Sequence, residues 1–106
     1  MRLWLDDVRP MPYDYDVHVK SAWTAIQLLK TGLITHVSLD HDLGDIYNDG
    51  LPAGTGYHVA TWIESNAFEG TFGRITWAVH SANTVGVEKM TKALTQADKF
   101  WDGRKL

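Results

Sequence analysis

Val37-Ser38-Leu39-Asp40-His41-Asp42 is a short apolar run that ends abruptly in three ionisable side chains. Two other stretches repeat the arrangement. Leu3-Trp4-Leu5 runs into Asp6-Asp7, and Ile75-Thr76-Trp77-Ala78-Val79 runs into His80-Ser81-Ala82-Asn83. Apolar runs this short read as strands buried on both faces. If the strands are parallel, their C-terminal ends share one edge of the sheet, where open α/β sheets hold ligands. That single assumption gathers the carboxylates of Asp6, Asp7, Asp40 and Asp42 with His41, His80, Ser81 and Asn83. Fold stability requires far less polar chemistry.

Working outward, the pattern alternates strand and helix. Strands are predicted at about 2–6, 16–20, 35–40 and 74–80, and helices at about 22–31, 56–66 and 85–97. Ser21 caps the first helix, Ala22, Ala25, Ile26 and Leu29 form its apolar stripe, and Gly32 stops it. Val59, Ala60 and Ile63 mark the second helix, and Val87, Met90, Leu94 and Ala97 the third, which also carries a Glu88–Lys92 pair. Pro10 and Pro12 disfavour a helix after the first strand, where a first crossover helix is expected. The stretch from His41 to Gly54 reads as a polar, Gly-rich loop, and Phe100 and Trp101 as a tail pinned to the body. Such alternation implies right-handed parallel crossovers and a small three-layer α/β/α sandwich with about four strands.

The chain has 106 residues, enough for one compact domain spanning 1–106. Its 44 % hydrophobic and 22 % charged residues are ordinary for a globular protein, and five Trp supply core volume without cross-links. The absence of Cys excludes disulfides, thiolate zinc sites and cysteine nucleophiles, and suits a cytoplasmic setting. Neither a membrane span nor a signal peptide is expected. With a net charge of −3 and scattered Lys and Arg, no extended nucleic-acid surface is expected; a small phosphorylated ligand held through a metal is compatible.

Adjacent carboxylates such as Asp6 and Asp7 repel each other at a strand end and become useful when a divalent cation neutralises them. Asp40 on a neighbouring strand end would complete such a site, for which Mg²⁺ or Mn²⁺ is the expected ion. Asp42 reads either as a ligand or as a partner that orients an imidazole. Asp45 reads as turn chemistry with Gly44, and the spacing of Asp45, Asn48, Asp49 and Gly50 does not fit an EF-hand. His80 and His41 are candidates for acid–base work near neutral pH, with His80 equally a candidate ligand. Arg9, Ser81 and Asn83 are candidates for phosphoryl oxygens, Asn83 doubling as an N-cap. Thr55 and Gly56 stand where a helix N-terminus attracts anions. His18, His36 and His58 are assigned surface or structural roles.

The combination resembles the receiver (flavodoxin-like) fold, in which an acidic pair follows the first strand, an Asp ends the third and a Ser or Thr ends the fourth. Asp6 and Asp7, Asp40, and Ser81 match those positions. The resemblance implies strand order 2-1-3-4, a Mg²⁺ site at the acidic cluster, and an Asp40 that accepts a phosphoryl group. The first crossover helix and the fifth strand with its Lys are missing; Lys99 and Lys105 are not delivered by any strand. A closer resemblance spans nearly the whole chain. Leu5-Asp6-Asp7-Val8-Arg9-Pro10, Ser38-Leu39-Asp40-His41-Asp42-Leu43-Gly44, Thr55-Gly56-Tyr57 and Val79-His80-Ser81-Ala82-Asn83-Thr84-Val85-Gly86 are similar to the cyclic-phosphate-processing receiver-like domains of bacteria and their phages.

That resemblance implies a metal-dependent phosphoesterase acting on a cyclic phosphate of a nucleotide or RNA end, as in RNA repair. Its setting would be a bacterial or phage-infected cytoplasm. Asp6, Asp7 and Asp40 would hold the cation. His80 or His41 would protonate the departing ribose oxygen, and water or Asp40 itself would attack. Two other classes are carried beside it: a module that binds a cyclic nucleotide or RNA end without turnover, and a divergent phosphoreceiver or protein-interaction domain. Without a fifth strand, the apolar fourth strand becomes an edge. Bare edges invite pairing, so either a homodimer there or cover from Phe100 and Trp101 is expected.

Overall fold

The computed structural model describes residues 1–44, 47, 48 and 50–104, with backbone alone at 47 and 48. The expectations for Asp45, Asp49, Lys105 and the Asn48 side chain lie outside the described residues. Strands β1 (Arg2–Leu5) and β2 (Val17–Val19) precede helix α1 (Ala22–Leu29) and strand β3 (His36–Leu39). A two-residue antiparallel pair, β4 (Tyr47–Asn48) and β5 (Leu51–Pro52), follows, then α2 (Gly56–Glu69), β6 (Thr76–Val79) and α3 (Thr84–Gly103). The main sheet is parallel throughout, in the order β2-β1-β3-β6. This is the receiver-like α/β architecture and order expected from the sequence.

Each helix starts and stops for a local reason. The Ser21 Oγ accepts from Thr24 N at 3.1 Å and opens α1. Asn83 Oδ1 accepts from Gly86 N at 2.9 Å and opens α3. Gly70, at φ 74°, closes α2 with a left-handed residue. Both later helices outrun their predicted ends because their stripes continue, through Ala67 in α2 and Trp101 in α3. Phe100 and Trp101 are therefore helical rather than a tail. Their rings meet Phe68 and Phe72. From α3, Asp98 accepts from Trp77 Nε1 of β6 at 3.0 Å, and Asp102 lies 2.7 Å from Arg74, just before the strand. The loop expected over 41–54 contains the β4–β5 pair.

Strand side chains alternate between faces. Leu3, Leu5, Val37 and Leu39 are sealed in one core with Ile26, Val59, Ala60, Ile63, Met90 and Leu94 from the three helices. The alternate residues Arg2, Trp4, His36, Ser38 and Thr76 face the other way. There Tyr15 meets Trp4 edge-on at 5.3 Å and hydrogen-bonds His36 at 2.9 Å. Of the three layers expected, the sheet and one helical layer are regular; the third is the proline-marked loop carrying Tyr15. No helix among the described residues is long and apolar enough to cross a membrane.

Candidate functional site

The alternation that separates the faces also sets the site. The backbone ladder continues one residue past each strand: Asp6 N donates to Val19 O at 3.1 Å, Asp40 N to Leu5 O at 3.0 Å, and His80 N to Leu39 O at 3.0 Å. Asp6, Asp40 and His80 therefore fall on the Trp4–Ser38 side, in one row across the C-terminal edge. Asp7 turns toward the loop after β3. A Cβ on Gly44 would run into Asp7 Oδ2, and Gly44 has φ 74°, so both space and backbone require glycine there.

Carboxylate oxygens of Asp6, Asp7 and Asp40 all lie within 4.8 Å of one another. Asp6 is fully buried, and its Oδ1 accepts from Val8 N and Arg9 N, each at 2.8 Å. These bonds fold the start of the proline loop around the carboxylate. Burial above all raises the Asp40 carboxyl from its ordinary value; the Asp6 charge pushes the same way, while Ser81, the His41 N–H and His80 oppose it. Three converging hard oxygens are the donor set that suits Mg²⁺ or Mn²⁺, and they exclude a thiolate-type site.

His80 is locked. Its Nε2 lies 3.1 Å from Asp6 Oδ2 and its Nδ1 2.7 Å from Ser38 Oγ, and its ring stacks on Trp4 at 3.7 Å between centroids. A carboxylate oxygen can only accept, so Nε2 carries the hydrogen and Nδ1 accepts from the Ser38 hydroxyl. Burial lowers the His80 pKa, outweighing the pull of Asp6 and Asp40. Both ring nitrogens are used, one toward the Asp6 carboxylate and one toward the Ser38 hydroxyl.

His41 is held differently. Its Nδ1 is 2.8 Å from Asp42 Oδ1, and Asn83 Nδ2 donates to both Asp42 oxygens at 3.2 and 3.3 Å. Contacts with His41 and Asn83 hold the Asp42 carboxyl below its ordinary value. A Cβ on Gly86 would collide with the His41 ring, so this glycine lets the imidazole lie against the start of α3. Among the described residues none hydrogen-bonds His41 Nε2.

The remaining predicted residues join the same network. Arg9 donates from its guanidinium to the His80 carbonyl at 3.0 Å, bringing a cation to the β6 end. Thr55 pairs with Asp42 in an isolated antiparallel bridge. Gly56 N donates to His41 O at 3.0 Å, so that N–H is not free for an anion, and a Cβ there would strike the Asp40 carbonyl. Asn83 is engaged at both ends of its amide, capping α3 with Oδ1 and holding Asp42 with Nδ2. Of the histidines set aside, His36 bonds Tyr15 and Thr76, His18 bonds the Asp6 carbonyl at 2.7 Å, and His58 caps α2 through Thr55.

Sequence reasoning missed Ser38 and Trp4, which fix the His80 ring, and the tight packing at Gly44 and Gly86. Ser38 did leave a signal: a hydroxyl inside an apolar strand, two residues before Asp40 and so on the same face.

No curated protein and no solved structure matches the chain. A family model matches residues 1–96, described as the cyclic-phosphate processing receiver domain. The match spans every strand that feeds the acidic edge and the loops that carry Arg9, His41 and Asn83. The chain is therefore a member of the cyclic-phosphate processing receiver domain family.

Proposed function

We propose that this domain is a metal-dependent phosphoesterase that opens a cyclic phosphate on a nucleotide or RNA end. The observation that carries the reading is the convergence of Asp6, Asp7 and Asp40 within 4.8 Å, beside an imidazole held by its own carboxylate. Asp6, Asp7 and Asp40 would hold a divalent cation, with Mg²⁺ or Mn²⁺ favoured by the all-oxygen donor set. When bound, such an ion neutralises charge and polarises a phosphoryl oxygen.

The chain's own groups divide the remaining work. Asp42 and Asn83 fix the His41 ring through Nδ1, which leaves Nε2 to hand a proton to the ribose oxygen as its bond to phosphorus breaks. Water supplies the oxygen that forms the new bond to phosphorus, and its proton replaces the one His41 gives up. Arg9 has guanidinium N–H groups beyond the one bonded to His80 O, and these suit phosphoryl oxygens. Ser81, close enough to Asp40 to favour its charged form, helps keep that carboxylate ionised. His80 and Ser38 hold Asp6 in place from behind.

Phosphorus NMR of a nucleoside 2′,3′-cyclic phosphate with Mg²⁺ or Mn²⁺ tests the reading. The expected result is conversion to a monoester by the wild type, abolition by chelator, and a rate lower by about 10³-fold or more in Asp40→Asn, of the order removed with an essential acid–base or ligand group. Full turnover by Asp40→Asn, or turnover unaffected by chelator, overturns it.

A further inference from the structure

A cavity of about 400 Å³ lies between the N-terminal halves of α1 and α2, within the roughly 300–1,000 Å³ usual for small-molecule sites. Trp23 and Trp62 stand in its walls, and Gly54, His58, Thr61 and Ser65 complete much of the lining. The polar members follow the spacing of one face of α2: residues 58, 61 and 65 fall at i, i+3 and i+7. His58 uses Nδ1 on the Thr55 N–H at 2.9 Å, which leaves Nε2. The Thr61 hydroxyl donates to carbonyls of its own helix and keeps its lone pairs for a ligand. An apolar, Trp-walled cavity with a few acceptors and donors along one side has the chemistry of a nucleobase site. Stacking accepts any base, and the polar edge meets its heteroatoms.

Its walls are built from segments that leave the sheet beside the acidic edge. On one side the wall is the start of α1, which follows β2, the strand whose Val19 carbonyl accepts from Asp6 N. On the other it is Gly54, one residue before Thr55, which pairs with Asp42. A Cβ on Gly54 would press on Ala22 and on the His58 ring at 3.1 Å, so this glycine joins the two walls. The cavity is thus flanked by the segments that leave the strands on both sides of β1, the strand that ends in Asp6 and Asp7. Trp23 is 46 % exposed, more than core packing would leave so large a ring.

We infer that this cavity receives the base of the substrate while the acidic edge receives its phosphate. The substrate class would then be a nucleoside cyclic phosphate, free or at the 3′ end of an RNA, rather than the cyclic phosphate of a simple alcohol. The inference rests on the proposed reaction for its phosphate half, and its base half is separable.

Two measurements separate them. In the first, adenosine and uridine are titrated into the wild type, Trp23→Ala and Trp23→Phe, with tryptophan fluorescence as the readout. Saturable quenching in the wild type, weakened about 10-fold or more in affinity by Trp23→Ala and largely restored by Trp23→Phe, is expected from the loss of one stacking contact. No saturable quenching, or equal quenching in all three proteins, overturns the inference. In the second, hydrolysis of a nucleoside 2′,3′-cyclic phosphate is compared with that of glycerol 1,2-cyclic phosphate. Trp23→Ala is expected to raise KM for the nucleotide about 10-fold more than for the base-free ester, with kcat for both changing less. An equal change for both substrates contradicts a base site. If the wild type hydrolyses neither, the proposed reaction fails, while the nucleoside titration still decides the cavity. A trinucleotide ending in the cyclic phosphate, run beside the mononucleotide, tells which source fits: a lower KM assigns the RNA end, a higher one the free nucleotide.

Discussion

On one face of the sheet, Leu3, Leu5, Val37 and Leu39 are sealed against three helices. On the other, Trp4, His36 and Ser38 are nearly as buried, yet they stack and hydrogen-bond with Tyr15, Thr76 and His80. The residues alternate along the same strands, so the contrast comes from the pleat alone. The apolar face gains stability from packing that has no direction. The polar face fixes directions, because each ring and hydroxyl there must satisfy a partner. That face leads in register to Asp6, Asp40 and His80, so the part of the fold that aims side chains is the part that ends in the candidate chemistry.

The comparison breaks if the two faces respond alike to truncation. Leu39→Ala, on the helix face, is expected to cost about 2–5 kcal/mol of stability in urea unfolding, because it leaves a cavity in a close-packed core. The metal affinity of the fraction that remains folded should be nearly unchanged. Ser38→Ala, one residue away on the other face, removes the hydroxyl that His80 Nδ1 accepts from. Its stability cost should be smaller, about 1–3 kcal/mol for one buried unsatisfied group, but Mn²⁺ affinity measured by titration calorimetry should fall about 10–100-fold as Asp6 loses its fixed partner. A Ser38→Ala protein with full metal affinity would show that the polar face does not aim the acidic edge.

A smaller effect sharpens the same contrast through pH. Burial lowers the His36 pKa, Arg2 adds to the shift and Asp14 opposes it. Folded His36 is therefore neutral where the unfolded chain, with an ordinary histidine near pKa 6.5, already binds a proton. Its contribution to stability is complete above about pH 6.5 and is lost as pH falls from there through the lowered folded value. Unfolding midpoints should drop between pH 7 and 5, and less steeply in His36→Gln. An unchanged slope in that variant would place the titration elsewhere. No comparable slope is expected from the helix face, whose core residues carry no ionisable group.

Much of this was legible before the fold was known. The three strand ends, the caps at Ser21 and Asn83, and the grouping of Asp6, Asp7 and Asp40 follow from local patterns: apolar runs, capping side chains and adjacent acids; the strand order came from the resemblance to the receiver fold. What was not legible depends on contacts between distant residues. His80 looked like an acid–base group at the end of a strand. Only the closeness of Ser38, Trp4 and Asp6 shows both its nitrogens engaged. Gly56 looked like an anion site because it opens a helix, and its N–H proves to serve the His41 carbonyl. Trp101 reads as part of a tail because the apolar stripe is plain only to Ala97, and α3 extends the same stripe by one more turn. The β4–β5 pair left no signal, since two-residue strands are too short for alternation to register.

The two imidazoles carry the comparison into the site. His80 is stacked on Trp4 and used at both nitrogens, whereas among the described residues His41 is held through Nδ1. The most direct test is the rate at which His41→Gln opens a nucleoside 2′,3′-cyclic phosphate, followed by phosphorus NMR beside the wild type in Mn²⁺. The expected result is turnover by the wild type and a kcat lower by about 10²–10⁴-fold in His41→Gln, with KM nearly unchanged. A His41→Gln protein that works at the wild-type rate would contradict it.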